Sequence, residues 1–154
     1  MRAAIFEEHG GPEVVHVAEV ETPEPGSGEV RVSVHAAALN HLDLFVRRGL
    51  PIETRFPHIG GSDLAGTIDV IGPGVTESGV GRRVVVNPSI SCGHCEWCTA
   101  GEDPLCPEYR IIGEHLPGGF AEFVVVPASN LLTVPDGFDL ETAAAAPLTF
   151  LTAW

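Results

Sequence analysis

The chain contains no lysine. Its eight basic residues are all arginines, set against 21 aspartates and glutamates, and the net charge is −13. A surface of that sign repels a phosphate backbone, which excludes nucleic acid as a partner. No stretch approaches the roughly 20 apolar residues that cross a bilayer, which excludes a membrane helix. The opening residues 1–11 lack the apolar run of a secretory signal, so the expected location is the cytoplasm. There are no dispersed cysteine pairs to staple a secreted fold; all four cysteines fall between Cys92 and Cys106. In a reducing compartment such clustering points to a metal site before disulfides.

What is present reads as one domain. Eighteen glycines and thirteen prolines among 154 residues call for many turns and short strands rather than a helical bundle. Val30, Val32, Val34 and Ala36 alternate with Arg31, Ser33 and His35, the period of a half-buried strand. Further strands are expected at 3–6, 14–20, 64–71, 83–86, 120–127 and 131–134. A short helix is expected over 40–48, ended by Gly49. Asp139 is placed to cap another helix, and Pro147 to open a last one. The chain then stops on Leu148-Thr149-Phe150-Leu151-Thr152-Ala153-Trp154, a bare apolar helix start that reads as a truncation.

Cys92-x2-Cys95-x2-Cys98-x7-Cys106 carries the strongest chemical signal. Two-residue spacings let successive thiolates converge on one ion, and the longer loop returns the fourth. Four thiolates suit a structural zinc, whose shell is closed to water and substrate. An iron–sulfur cluster is the rival occupant. His94 lies between two ligands, but four cysteines already fill the shell. A zinc-ribbon nucleic-acid module does not fit, because Glu96, Glu102, Asp103 and Glu108 make the surroundings acidic.

With the preceding Gly81-Arg82-Arg83-Val84-Val85-Val86 and the following Gly118-Gly119-Phe120-Ala121-Glu122, this loop resembles the structural-zinc lobe of the medium-chain dehydrogenase/reductase superfamily. Ala38-Leu39-Asn40-His41-Leu42-Asp43 and Gly60-Gly61-Ser62-Asp63-Leu64-Ala65-Gly66 occupy two further motif positions of that family. The resemblance runs from Met1 to Trp154. It implies a mainly β, GroES-like, partly open barrel with short helices and a zinc-binding lobe. Residues 1–150 would form the catalytic domain, with the lobe at about 88–113, and 151–154 would begin the link to a nucleotide-binding Rossmann domain absent from this chain. No G-x-G-x-x-G occurs; the glycine pairs have the wrong spacing.

The departures from the family pattern direct the functional reading. Zinc-containing alcohol dehydrogenases hold a catalytic zinc with Cys, His and Cys at positions that here are Asn40, Ser62 and Leu148; Asp63 replaces the adjacent Glu, and Phe45 a proton-relaying His. Neither His41 nor His58 aligns with a lost ligand. Asn40 followed by Asp43 is instead the pattern of the quinone-reductase-like branch, which passes hydride from NADPH or NADH to quinones or activated enones without a catalytic metal. On that resemblance, Asn40 positions the nicotinamide or the substrate oxygen, Asp43 acts beside it or merely holds the helix, and Thr152 lies near the nicotinamide. One structural zinc per chain is held by Cys92, Cys95, Cys98 and Cys106. The implied partners are a small-molecule substrate and, in the parent protein, further copies of itself. Two alternatives remain: a zinc alcohol dehydrogenase with altered ligands, and a zinc-stapled β-domain serving only in binding or assembly.

Overall fold

The computed structural model describes residues 1–76 and 79–154. Its strands are β1 (Arg2–Phe6), β2 (His16–Glu19), β3 (Glu29–Ala38), β4 (His58–Ile59), β5 (Asp63–Ile71), β6 (Arg83–Val86), β7 (Ser89–Ile90), β8 (Arg110–Ile111), β9 (Phe123–Pro127) and β10 (Leu131–Thr133). The helices are α1 (His41–Arg48), α2 (Glu96–Thr99), α3 (Leu140–Ala144) and α4 (Pro147–Ala153). Three sheets result, ordered β2-β1-β4, β10-β6-β5-β3-β9 and β7-β8, and every pairing of these strands is antiparallel. The architecture is mainly β with short helices, as expected, and the described residues contain no Rossmann unit.

The alternation in β3 does what period 2 requires. Val30 and Val32 are fully buried and meet Leu64, Ile68, Val84, Val86, Ile112, Val124 and Val126 in one core. Burying each such side chain stabilises the fold by about 2 kcal/mol. On the outward side Arg31 is latched, its Nε to Asp69 and its Nη1 to Glu24, both at 2.7 Å. A second cluster seats α3, placing Leu140, Ala143 and Ala144 against Ala65 and Val134. Asp139 caps α3 by accepting from the Thr142 N–H at 2.7 Å, and Pro147 opens α4, both as expected.

β3 and β5 pair from Val30↔Ile71 to Ala38↔Asp63, with irregularities after Arg31 and after Val34. Bulges of this kind bend a strand and re-aim the residues beyond them. The register brings the end of β3, and hence Asn40, beside Asp63.

Three expected strands come out shorter, β10 by one residue, ending at Thr133. Pro12–Val14 form a 3₁₀ turn, so β2 begins only at His16 and runs as an exposed edge. Residues 120–122 do not join β9 but cross between sheets. Phe120 O accepts from Ala4 N, Ala121 bridges Ala3, and Glu122 O accepts from Val34 N. The two-residue strands β4, β7 and β8 and the four-residue α2 are too short to show a period.

β4 carries His58 into the interior. Its Nε2 donates to Gly113 O at 3.0 Å and its ring packs on Phe6 with centroids 5.1 Å apart. Burial lowers its pKa; the Gly113 and Arg55 backbone groups and Asp43 oppose that shift, while His9 adds to it. A depressed folded pKa means that the unfolded chain binds the proton more tightly below 6.5. Stability from this site is therefore present above pH 6.5 and lost as pH falls through the folded value. Urea unfolding at pH 7.5 and pH 5 checks this, with His58→Phe expected to flatten the difference.

Candidate functional site

Asn40 immediately precedes α1, half-buried, at the exit of β3. Asp43, one turn into the helix, folds back to accept from the Asn40 backbone N–H at 2.7 Å; its other oxygen accepts from Gly61 N–H at 2.9 Å. Burial pushes the Asp43 carboxyl up, the two N–H donors pull it down, and the charge of Asp63 adds to the rise. With both oxygens engaged, Asp43 ties α1 to the Gly60–Gly61 turn. Gly61 has φ +97°, and a Cβ there would stand 2.8 Å from the Phe120 ring. The Gly118–Gly119 pair, which carries no nucleotide signature, allows the close approach from the other side: Gly118 N bonds Ile59 O, and Gly119 N bonds Gly61 O.

Asp63 is the hub. It is 1% exposed, accepts from Asn40 Nδ2 at 2.9 Å and from the Leu148 backbone N–H at 2.7 Å, and so joins β5, the entrance of α1 and the start of α4. The fold thus gathers Asn40 and the start of α4 at Leu148 around the Asp63 carboxylate, with Ser62 beside it in the chain. Both Asp63 oxygens accept hydrogen bonds, Asn40 presents a donor, Leu148 supplies a backbone N–H, and the buried Ser62 Oγ has no hydrogen-bond partner among the described residues. A catalytic zinc needs three protein ligands and an open position. These residues do not fit it. His41 is exposed beside Phe45, His58 is committed to Gly113, and neither joins a three-ligand group among the described residues. Asp63→Asn turns an N–H₂ toward one of the two donors. The expected loss is about 2 kcal/mol of stability, read from the urea midpoint.

The sequence marked Asp63 only as a replaced Glu. That it holds Leu148 by the backbone was not legible, since a backbone donor leaves no trace in residue identity. Thr152 lies exposed on the last turn of α4, away from this hydrogen-bonded cluster.

The four cysteines sit on the loop between β7 and β8, with Cys95 capping α2. Their sulfurs all lie within 4.8 Å of one another; Cys92 to Cys98 is 3.8 Å and Cys95 to Cys98 is 3.5 Å. A tetrahedron of thiolates about 2.3 Å from zinc has edges of about 3.8 Å, so the residues fit the ion. All four are free of disulfides. N–H groups of His94 and Cys95 bring the Cys92 thiol down to about 6, whereas desolvation pushes Cys98 up to about 12. Thiols this close do not all ionise without a cation to share. His94 turns its Nδ1 to Cys92 O at 2.8 Å, and with Cys92 and Glu108 it forms a second group of three potential ligands.

Residues 26–136 match the family described as alcohol dehydrogenase GroES-like domain. The chain belongs to that family. It is therefore a member of the medium-chain dehydrogenase/reductase superfamily. It is 39% identical over 125 residues to the starvation-sensing protein RspB of Escherichia coli (strain K12), covering 81% of this chain and 37% of that protein. Over 144 residues it is 38% identical to an alcohol dehydrogenase of Schizosaccharomyces pombe, covering 92% of this chain and 41% of the relative. A crystal structure of an NAD-dependent alcohol dehydrogenase superposes with TM-score 0.97 at 54% identity, over 100% of this GroES-like chain and 45% of that one. The chain spans about two fifths of the length of the curated relatives. No helix among the described residues is long and apolar enough to cross a membrane.

Proposed function

We propose that this chain is the catalytic-domain part of a nicotinamide-dependent oxidoreductase that reduces a quinone or activated enone without catalytic zinc, and that carries one structural zinc on Cys92, Cys95, Cys98 and Cys106. The observation that carries the reading is the engagement of Asp63 by Asn40 and Leu148, where a catalytic metal would need ligands. Residues 1–150 are the catalytic domain, with the lobe at about 88–113, and 151–154 lead toward a nucleotide-binding domain of an oligomeric, cytoplasmic parent. The 54%-identical structure supports NAD as cofactor, with NADP as the other choice.

A nicotinamide cofactor, when bound, supplies the hydride. Asp63 fixes the Asn40 amide through one N–H and the capping box turns its oxygen to the Asp43 backbone N–H, leaving the second N–H to meet a substrate carbonyl or a carboxamide oxygen. A conjugated carbonyl already has an electrophilic β-carbon, so orientation and one donor at the developing enolate oxygen suffice. Oxidising an unactivated alcohol needs its hydroxyl acidified, a task for a Lewis acid. Asp43 acts through Asn40 as a positioning residue, and Thr152 is assigned to the nicotinamide side.

The names of the relatives favour a second reading, alcohol oxidation with altered ligands. Metal content and substrate range of the full-length parent decide between them. The expected result is one zinc per chain and turnover of benzoquinone or cyclohexenone with NADH or NADPH. Two metal equivalents with alcohol oxidation would establish the second reading. The 154-residue chain alone is expected to show no turnover.

A further inference from the structure

A cleft of about 550 Å³ opens between β1 and α1. It shares Asp43 with the site described above but contains none of Asn40, Ser62, Asp63 or Leu148. Phe6 and Gly60 are buried at its base, Leu44 and Phe120 are half-buried walls, and Val15 and Leu39 are exposed at its rim. The size suits a small molecule, and the lining is mostly apolar. Arg47 also lines it, and its Nε is buried without a hydrogen-bond partner.

That unpaired donor is the informative feature. In a chain with 21 acidic residues, Arg2 and Arg31 are held by carboxylates, yet Arg47 makes no ion pair among the described residues. The acidic group lining the cleft, Asp43, has both oxygens turned to the N–H groups of Asn40 and Gly61. What remains uncommitted is a guanidinium beside an apolar wall. The Nε itself is closed to solvent and ligand, so an occupant of the cleft meets the charge of the guanidinium rather than that atom, and an anionic group is the one this charge favours.

We infer that this cleft is a second binding site, for a small amphipathic carboxylate whose head group meets Arg47 and whose aliphatic or aryl body lies against Phe6, Leu44 and Phe120. A neutral chain of the same length would bury the same apolar surface without reaching the guanidinium, and a cation would meet it with the wrong sign. This inference does not depend on the redox reaction proposed above, and its test uses the 154-residue chain.

Octanoate and octanol are titrated into the chain, followed by calorimetry and by NMR shifts of Phe6, Leu44 and Phe120. One octanoate is expected to bind with shifts centred on those residues, and octanol at least tenfold more weakly. Arg47→Met keeps the aliphatic stem and is expected to weaken octanoate about tenfold while leaving octanol unchanged. Should that variant fold poorly, Val15→Trp at the exposed rim is expected to abolish octanoate binding with an unchanged melting temperature. Absence of binding, shifts elsewhere on the molecule, octanol binding as tightly as octanoate, or equal octanoate affinity in a folded Arg47→Met would each overturn the inference.

Discussion

Asn40→Ala in the full-length parent is expected to lower quinone or enone reduction about a hundredfold, the cost of about 3 kcal/mol for one positioned donor at a developing oxyanion. The loss should fall on kcat rather than KM, because the hydrogen bond strengthens as charge builds on the substrate oxygen. Alanine also leaves Asp63 Oδ2 without its 2.9 Å partner, so some stability goes with it. The two effects separate cleanly. Asp63 still holds Leu148 and Asp43 still accepts from the backbone N–H at position 40, while the side-chain half of the capping box is lost at a further cost of about 1 kcal/mol in stability. A variant that melts lower but turns over normally would make Asn40 a structural residue and nothing more. Removing accessible metal while sparing the lobe should leave the wild-type rate unchanged.

Cys95→Ser is expected to lose zinc and to lower the melting temperature by about 10 °C. The destabilisation is transmitted through the segment on the C-terminal side of the lobe. Beyond β8, Ile112 is buried in the main core, and Gly113 packs on the Gly61–Ser62 backbone and accepts from His58. An unpinned lobe weakens the anchorage of those residues, which are worth about 3 kcal/mol on the scale of a buried aliphatic side chain and a hydrogen bond. For a domain of this size each kcal/mol corresponds to about 3 °C. Elemental analysis and thermal melts check both halves. An unchanged melt with zinc gone would mean that the lobe is an independent appendage; retained zinc would mean that Cys95 is not a ligand.

Much of the fold was legible because its signals are local. The β3 valines alternate with the period of a strand, Asp139 and Pro147 mark helix starts, and Gly49 ends α1. The segment at 14–20 was only partly legible. Its apolar composition suits a strand, but Pro12 sets a turn first, and an edge position leaves Val17 71% exposed. At 120–122 composition again read as strand, whereas the chain spends those residues passing from one sheet to the other.

By itself the sequence determined the β-rich class and the cluster of four cysteines, since composition and spacing along the chain suffice for each; Asn40, Ser62 and Leu148 stood out through the family resemblance. Only the tertiary structure decided how they are arranged. The register Ala38↔Asp63 and the hydrogen bond to the Leu148 backbone bring together groups 23 and 85 residues apart around one carboxylate. Bulges set that register and α4 supplies a main-chain donor, and neither is written in the identity of any single residue. The same holds for Arg47: the sequence shows an arginine near the end of a helix, and packing alone set it against an apolar cleft with its Nε buried and unpartnered.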